Sequence, residues 1–188
     1  MLLAGGIAGG TPVEIWFQDE ARIGQQGTLT RIWARRGTRP RAPRAPRDQR
    51  YKWAYLFGAV CPERGTGAAL VLPYANAYAM TLHLEEIGRC VTPGAHAIVL
   101  LDGAGYHIAK DLVVPANISL LPIPPYSPEL NPQENIWQYL RQNKLSNIVS
   151  KDYDTIVQNS CDAWIWLMNL PDQVRSIASR DWAKQVSC

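Results

Sequence analysis

The chain has 188 residues, 47% of them apolar, and a formal net charge of +3, which suits one well-buried domain and is too short for two of ordinary size. No apolar run approaches the roughly 20 residues that span a bilayer. Four cysteines without a CxxC pair argue against a zinc site or a disulfide framework and favour a reducing cytosol. The opening MLLAGGIAGG lacks the basic region of a signal peptide, so residues 1–12 are interpreted as a linker or cloning remnant and 13–188 as one domain.

Strands dominate the first part of the chain. VEIWFQDE (13–20) alternates and predicts a strand that ends at Asp19, and GTLTRIWARRG (27–37) predicts a second. The later patterns predict strands over 51–62 and 66–74, a helix over 76–91, a buried strand over 96–102, a short helix over 106–114, a strand over 118–123, and helices over 132–145, 151–168 and 171–186. This order predicts an α/β domain, in which a mixed central sheet is flanked by helices and an antiparallel meander of three or four strands is followed by parallel strands.

Basic residues are concentrated between the first and third predicted strands. Nine of them and one acid, Asp48, lie from Arg31 to Lys52, and arginine outnumbers lysine eight to one. The guanidinium fork matches phosphate geometry, so the segment, with its loop over 38–50, favours a polyanion partner. A solvated surface loop is the alternative. The candidate phosphate-binding residues are Arg31, Arg35, Arg36, Arg39, Arg41, Arg44, Arg47 and Arg50.

Three carboxylates stand where elements meet. Asp19 and Asp102 each end an apolar strand, and if these strands are central and parallel, both side chains emerge at the carboxyl edge of the sheet. Glu134 lies in the first turn of the helix that follows PPYSPELNP. Three acids converging on one edge would repel each other. A pair of Mg²⁺ or Mn²⁺ ions would relieve this repulsion and suit an in-line phosphoryl displacement.

Each acid also has an ordinary structural explanation. An aspartate at a strand end commonly forms a turn or caps a helix. In NPQE, Asn131 suits the N-cap, Pro132 the first helical position and Glu134 the third, which is a variant of the capping box. Glu129 is predicted to face solvent. Of the histidines, His107 is the candidate accessory residue, because it follows Asp102 closely.

Three blocks, WFQDEARIG, LLDGAGYH and LLPIPPYSPELNPQENIWQYLR, resemble the DDE superfamily endonuclease domain of bacterial insertion-sequence transposases related to the mariner elements. The resemblance covers roughly residues 13–145. It implies a ribonuclease H-like fold in which Asp19, Asp102 and Glu134 are catalytic and hold two Mg²⁺ (or Mn²⁺) ions. Glu20, His107 and Asn131 are then accessory at most.

The resemblance further implies cleavage of DNA at transposon ends and attack of the freed 3′-hydroxyl on target DNA, by a homodimer in the bacterial cytoplasm near the nucleoid. The arginines of 31–50 would contact DNA phosphates. Such transposases also have a helix-turn-helix region for end recognition, which is expected to be encoded elsewhere. Two departures are Gly103, where the family more often has Asn, and a slightly short interval between Asp102 and Glu134. A structure-selective nuclease or ribonuclease H, and a decayed DNA-binding domain, are the alternatives.

Overall fold

A mixed sheet of five strands forms the centre of the computed structural model, which describes residues 7–25, 35–38, 52–107, 109–124 and 127–184. Its strands are β1 (Val13–Gly24), β2 (Trp53–Cys61), β3 (Thr66–Leu72), β4 (His96–Leu101) and β5 (Ile118–Pro122), in the spatial order β3-β2-β1-β4-β5. β1 and β3 pair antiparallel with β2, whereas β4 pairs parallel with β1 and with β5. The predicted α/β class and mixed sheet are confirmed.

Helices cover both faces of this sheet. They are α1 (Ala77–Cys90), α2 (Gln133–Leu140), α3 (Tyr153–Met168), α4 (Pro171–Ala178) and the short α5 (Asp181–Lys184). Side chains of Asn76 and Asp152 accept backbone N–H groups at the starts of α1 and α3, which satisfies donors that the first helical turn leaves free. Over the described part of the chain, no helix is long and apolar enough to cross a membrane.

Two apolar cores lie on opposite faces of the sheet. Trp16 belongs to the core that packs against α1, and Phe17 belongs to the core that packs against α2, α3 and α4. The split follows from the strand itself, because successive side chains point to opposite faces. By the same alternation, Asp19 shares the face of Phe17, and Glu20 shares the face of Trp16.

β1 has different partners on its two sides, and this difference opens the sheet edge beside Asp19. Its pairing with β4 ends at Phe17↔Leu100, whereas its pairing with β2 continues to Gly24↔Trp53. The prediction that the strand ends at Asp19 is therefore wrong, since hydrogen bonding to β2 carries it five residues further. Asp19 lies inside β1, in the part of the strand that pairs with β2 but no longer with β4.

The short helix predicted over 106–114 is also wrong. A 3₁₀ turn covers Gly105–His107, and the described residues from 109 to 114 form no helix. The apolar residues at the end of this segment are not buried: the exposed fractions of Val113 and Val114 are 61% and 38%. The backbone N–H of Val113 instead donates to Thr81 Oγ1 at 3.1 Å.

The later helices correspond to the predicted ones with shifted ends. α2 stops at Leu140 and continues as a π-helical turn over Arg141–Leu145, and the predicted helix over 171–186 is divided into α4 and α5. Most of the strand predicted over 27–37 lies outside the described residues, as does most of the basic loop. Arg35 and Arg36 belong to an exposed turn over 35–38, in which Thr38 N donates to Arg35 O.

Candidate active site

Asp19 is a largely buried carboxyl group at the edge of β1 beyond its pairing with β4, and its pKa is strongly shifted. Its Oδ2 accepts a hydrogen bond from Trp137 Nε1 of α2 at 3.0 Å. Burial raises the pKa of Asp19 from its ordinary value of 3.8 to about 6, the charges of Glu20 and Asp102 add to the rise, and the Trp137 bond opposes it. A carboxyl group with these neighbours favours either a proton or a cation.

A glycine on the neighbouring strand makes room for the Trp137 contact. Gly58 of β2 lies directly opposite Asp19 in the antiparallel register. A Cβ at Gly58 would lie 2.4 Å from Trp137 Cη2 and 2.9 Å from both Gln133 Nε2 and Trp164 Cζ3. The missing side chain thus lets α2 and α3 approach the sheet closely enough for the indole N–H to reach Asp19.

Asp102 is the neighbour of Asp19 across the parallel pair β1 and β4. Each of these residues lies two positions beyond the last registered pair, Phe17↔Leu100, so the two carboxylates leave the sheet side by side. The Asp102 side chain is 60% exposed, and its Oδ1 accepts the backbone N–H of Ala104 at 3.0 Å. The strand pattern in the sequence correctly predicted this adjacency.

His107 lies between two carboxylates. Its Nδ1 is 2.9 Å from Asp102 Oδ1 and 3.1 Å from the Asp102 carbonyl oxygen, and its Nε2 is 3.6 Å from Glu20 Oε2. Burial lowers the pKa of the imidazole, but the contacts with Glu20 and Asp102 outweigh burial and raise that pKa above its ordinary value. Gln18 Nε2 also donates to Glu20 Oε2, at 3.3 Å.

Glu134 is set apart from this group. Its side chain is 64% exposed, and its Oε1 lies 3.5 Å from Arg141 Nη1. Among the residues that the structure describes, no three His, Cys, Asp or Glu side chains are grouped closely enough to hold one metal ion. The structure therefore brings together Asp19, Asp102, Glu20 and His107, while the place of Glu134 in the site stays a prediction.

The segment before α2 ties the start of this helix to the sheet. Asn131 Oδ1 accepts the backbone N–H of Gln133 at 3.1 Å, and Asn131 Nδ2 donates to Gln18 O at 2.9 Å. The second bond attaches the start of α2 to β1 immediately before Asp19. The helix itself begins at Gln133, with Pro132 at the N-cap position and no side-chain cap bond, so the predicted capping box with Glu134 as its third residue is wrong. Glu129 is exposed in a 3₁₀ turn, as predicted.

Trp137, Gly58 and Gln133 also belong to this site, although they were not among the residues predicted for it. Trp137 is 2% exposed, as a core residue would be. A usable signal was present, because a buried indole N–H needs an acceptor and Trp137 follows Glu134 by one helical turn. Gly58 gave no comparable signal, since its role depends on the register between two strands.

The strand order and the pair of aspartates, Asp19 within β1 and Asp102 directly after β4, define the class of the molecule. An antiparallel meander followed by parallel strands, with helices on both faces, is a ribonuclease H-like fold. The chain belongs to the DDE superfamily endonuclease family, whose model matches residues 14–157. It is thus an enzyme of the DDE endonuclease type, and the resemblance of the sequence to this family is confirmed.

The chain is also similar to individual proteins. The chain is 56% identical over 131 residues to Uncharacterized protein y4pE/y4sA of Sinorhizobium fredii (strain NBRC 101917 / NGR234), a match that covers 70% of this chain and 97% of that protein. Among solved structures it is similar to the Mos1 strand transfer complex (TM-score 0.56, 20% identity) and the Mos1 mariner paired-end complex with Mn (TM-score 0.58, 19% identity). Each match covers 89% of this chain but only 55% and 56% of the Mos1 chains. At these identities the likeness shows a shared fold.

Proposed function

We propose that residues 13–188 are the catalytic domain of a transposase, which cleaves DNA at transposon ends and joins the freed 3′-hydroxyl to target DNA. The observation that carries this proposal is the pair of aspartates at the edge of the sheet. Asp19 and Asp102 leave adjacent parallel strands on the same side, in a chain of the DDE endonuclease family. Carboxylates so placed suit phosphoryl-transfer chemistry that depends on divalent ions.

The donor set fits a hard divalent cation. Asp19 has a raised pKa because it is buried beside two other carboxylates, and a bound Mg²⁺ or Mn²⁺ would offset that repulsion. Asp19 and Asp102 would hold the cations, and Glu134 would complete the ligand set after its carboxylate leaves Arg141. Two such ions, when bound, would supply the activated nucleophile and stabilise the departing 3′-oxygen.

The protein's own part in this chemistry is to hold the aspartates in place. The indole N–H of Trp137 directs one oxygen of Asp19, and the N–H of Ala104 directs one oxygen of Asp102. These two donors lie on different elements, α2 and the loop after β4, so the site depends on the packing of α2 against the sheet. Groups fixed in this way need little reorganisation when substrate binds.

DNA is the proposed substrate, and a homodimer is the proposed active assembly. The Mos1 structures to which the chain is similar are described as a strand transfer complex and as paired-end complexes, the latter with Mn or Mg. Arginines at 31–50 would neutralise DNA phosphates, so affinity should fall steeply as salt rises. Because such contacts are made to phosphates, they would add little sequence preference.

Amide replacements test the function directly. The variants Asp19→Asn, Asp102→Asn and Glu134→Gln should each lose Mg²⁺-dependent nicking of transposon-end DNA, while Glu129→Gln, an exposed carboxylate in a nearby turn, should keep it. Full activity of Glu134→Gln together with lowered stability would assign Glu134 a structural role in α2 instead. A strand-transfer assay on the active protein separates a transposase from a structure-selective nuclease, which would form no joined product.

A further inference from the structure

We propose that His107 is a positioning residue, which holds the Asp102 carboxylate at the sheet edge while Glu20 holds the far side of the imidazole. The inference rests on the proposed function, because it concerns the aspartate pair of that site. It adds to the site a row of three side chains, in which the imidazole of His107 lies between the carboxylates of Glu20 and Asp102. His107 itself is not expected to touch substrate.

The geometry of the row carries the inference. The His107 side chain is fully buried, and the ring presents its two nitrogens to different carboxylates. Nδ1 makes its hydrogen bond to the Asp102 carbonyl oxygen at 3.1 Å and lies 2.9 Å from Asp102 Oδ1, and Nε2 lies 3.6 Å from Glu20 Oε2. A buried ring with both nitrogens directed at carboxylates cannot turn without losing both contacts.

Asp102 needs such support more than Asp19 does. Asp19 sits inside a strand and is largely enclosed, whereas Asp102 begins an irregular loop and its side chain is 60% exposed. An exposed carboxylate outside regular structure loses rotamer entropy when it takes up a ligand. The imidazole contact restricts that freedom in advance, as outer partners do for metal-binding carboxylates in general.

Glu20 is placed to support the histidine and not to join the aspartates. It follows Asp19 in β1, so its side chain points to the opposite face of the sheet. There it is 13% exposed, and Gln18 Nε2 donates to its Oε2 at 3.3 Å. The row therefore runs from one face of β1, through the ring of His107, to the carboxylate beside Asp19.

His83 offers a matched comparison on the same face. It is fully buried on α1 and stacks obliquely on Phe57, with ring centroids 5.7 Å apart. Within the described structure His83 makes no hydrogen bond to another side chain, and burial lowers its pKa to about 3, with the charge of His107 adding to the fall and a backbone contact at Gly58 opposing it. His83 is thus an equally buried imidazole without a carboxylate contact, which makes it the control for loss of buried volume.

Mn²⁺ binding to the metal-free full chain, measured by calorimetry, tests the proposal. Loss of an outer partner typically costs about 10- to 100-fold in metal affinity, so His107→Ala should bind Mn²⁺ at least tenfold more weakly than the native chain. His107→Asn should recover most of that loss, because its amide N–H can take the place of Nδ1–H, whereas His107→Gln should not. His83→Met should bind Mn²⁺ as the native chain does.

A readout without metal accompanies this series. The Ala104 N–H donates to Asp102 Oδ1, so its hydrogen exchange reports whether the carboxylate is held. Exchange at Ala104 should speed up in His107→Ala, return towards the native rate in His107→Asn, and stay native in His83→Met. If His107→Ala does not fold, Glu20→Gln provides the same test, with weaker Mn²⁺ binding and faster exchange expected.

The outcomes separate this inference from the proposed function. The proposed function, and the inference with it, are overturned if the native chain binds no Mn²⁺ or if the Asp19→Asn variant binds Mn²⁺ with the same affinity as the native chain. Only the inference is overturned if Asp19→Asn abolishes Mn²⁺ binding while the substitutions of His107 and Glu20 leave the affinity unchanged. Equal losses in His107→Ala, His107→Asn and His83→Met would also overturn it, because volume alone would then explain the effect.

Discussion

Replacing Asp19 with asparagine should make the metal-free protein more stable at neutral pH. The amide keeps the shape of the side chain and an oxygen that can accept the Trp137 N–H, but it removes a charge that burial and two neighbouring carboxylates disfavour. Replacement of a functional residue often increases stability in this way, because such residues are retained for activity although they destabilise the fold.

The size and the sign follow from the pKa of Asp19. That pKa rises from 3.8 to about 6 on folding, and one unit corresponds to about 1.4 kcal/mol, so the ionised carboxyl destabilises the fold by about 3 kcal/mol. Because the unfolded chain ionises first, the free energy of unfolding falls as pH rises from 3.8 to about 6 and is level above that. For a chain of this length, 3 kcal/mol corresponds to about 6–12 °C in Tm.

Urea unfolding in chelator-containing buffer from pH 3.5 to pH 8 measures this effect. The difference between Asp19→Asn and the native chain should be near zero at pH 3.5 and grow to about 3 kcal/mol at pH 7.5. Glu129→Gln, which alters an exposed carboxylate, should give a flat and small difference. A pH-independent difference for Asp19→Asn, or one that shrinks as pH rises, would refute the assigned environment of Asp19.

Two further substitutions test the surroundings of the site, and a third tests the beginning of β1, where Glu14 lies. Trp137→Phe removes the hydrogen-bond donor to Asp19. It should lower the free energy of unfolding by about 1.5–3 kcal/mol at pH 8, as loss of a hydrogen bond to a charged group does, and by less at pH 4.5. Equal losses at the two pH values would contradict the bond. Gly58→Ala should lower the free energy of unfolding in urea by about 1–3 kcal/mol, because its Cβ would lie 2.4 Å from Trp137. Gly103→Ala is the control, since the space around its Cβ is open, and it should change the stability little. Similar values for the two variants would rule out the close approach of Trp137 to Gly58. Glu14→Gln should show the opposite pH trend to Asp19→Asn. Burial alone would raise the pKa of Glu14, but hydrogen bonds from Thr92 and Trp16 and the charge of Arg64 lower it below its ordinary 4.5. The native stability that this variant lacks is therefore present above pH 4.5 and decreases as pH falls, and a loss that does not shrink as pH falls would contradict this.

The sheet was the part of the fold that periodicity predicted best. Continuous apolar runs and alternating segments identified β1 to β5, because burial on one or both faces leaves a clear mark in sequence. Strand ends were less predictable. The extension of β1 past Asp19 depends on β2, a partner that lies far along the chain, and no local pattern contains that information.

The candidate site was predicted in part. Asp19 and Asp102 were found because neighbouring parallel strands bring such residues to one edge, and this holds although β1 continues past Asp19. His107 was predicted as an accessory residue, but its partners, like that of Trp137, depend on how the loop after Asp102 closes and on how α2 packs. The same loop invalidated the helix predicted over 106–114, where Val113 and Val114 are exposed.

Anomalous scattering from crystals grown with Mn²⁺ would locate the metal site. Manganese is expected between the carboxylates of Asp19 and Asp102, with the Glu134 carboxylate turned from Arg141 towards the metal. Occupancy should disappear in Asp19→Asn. Crystals that contain Mn²⁺ elsewhere while this edge stays empty, or a Glu134 that keeps its ion pair beside a bound metal, would contradict the assignment of these three residues as the metal-binding set.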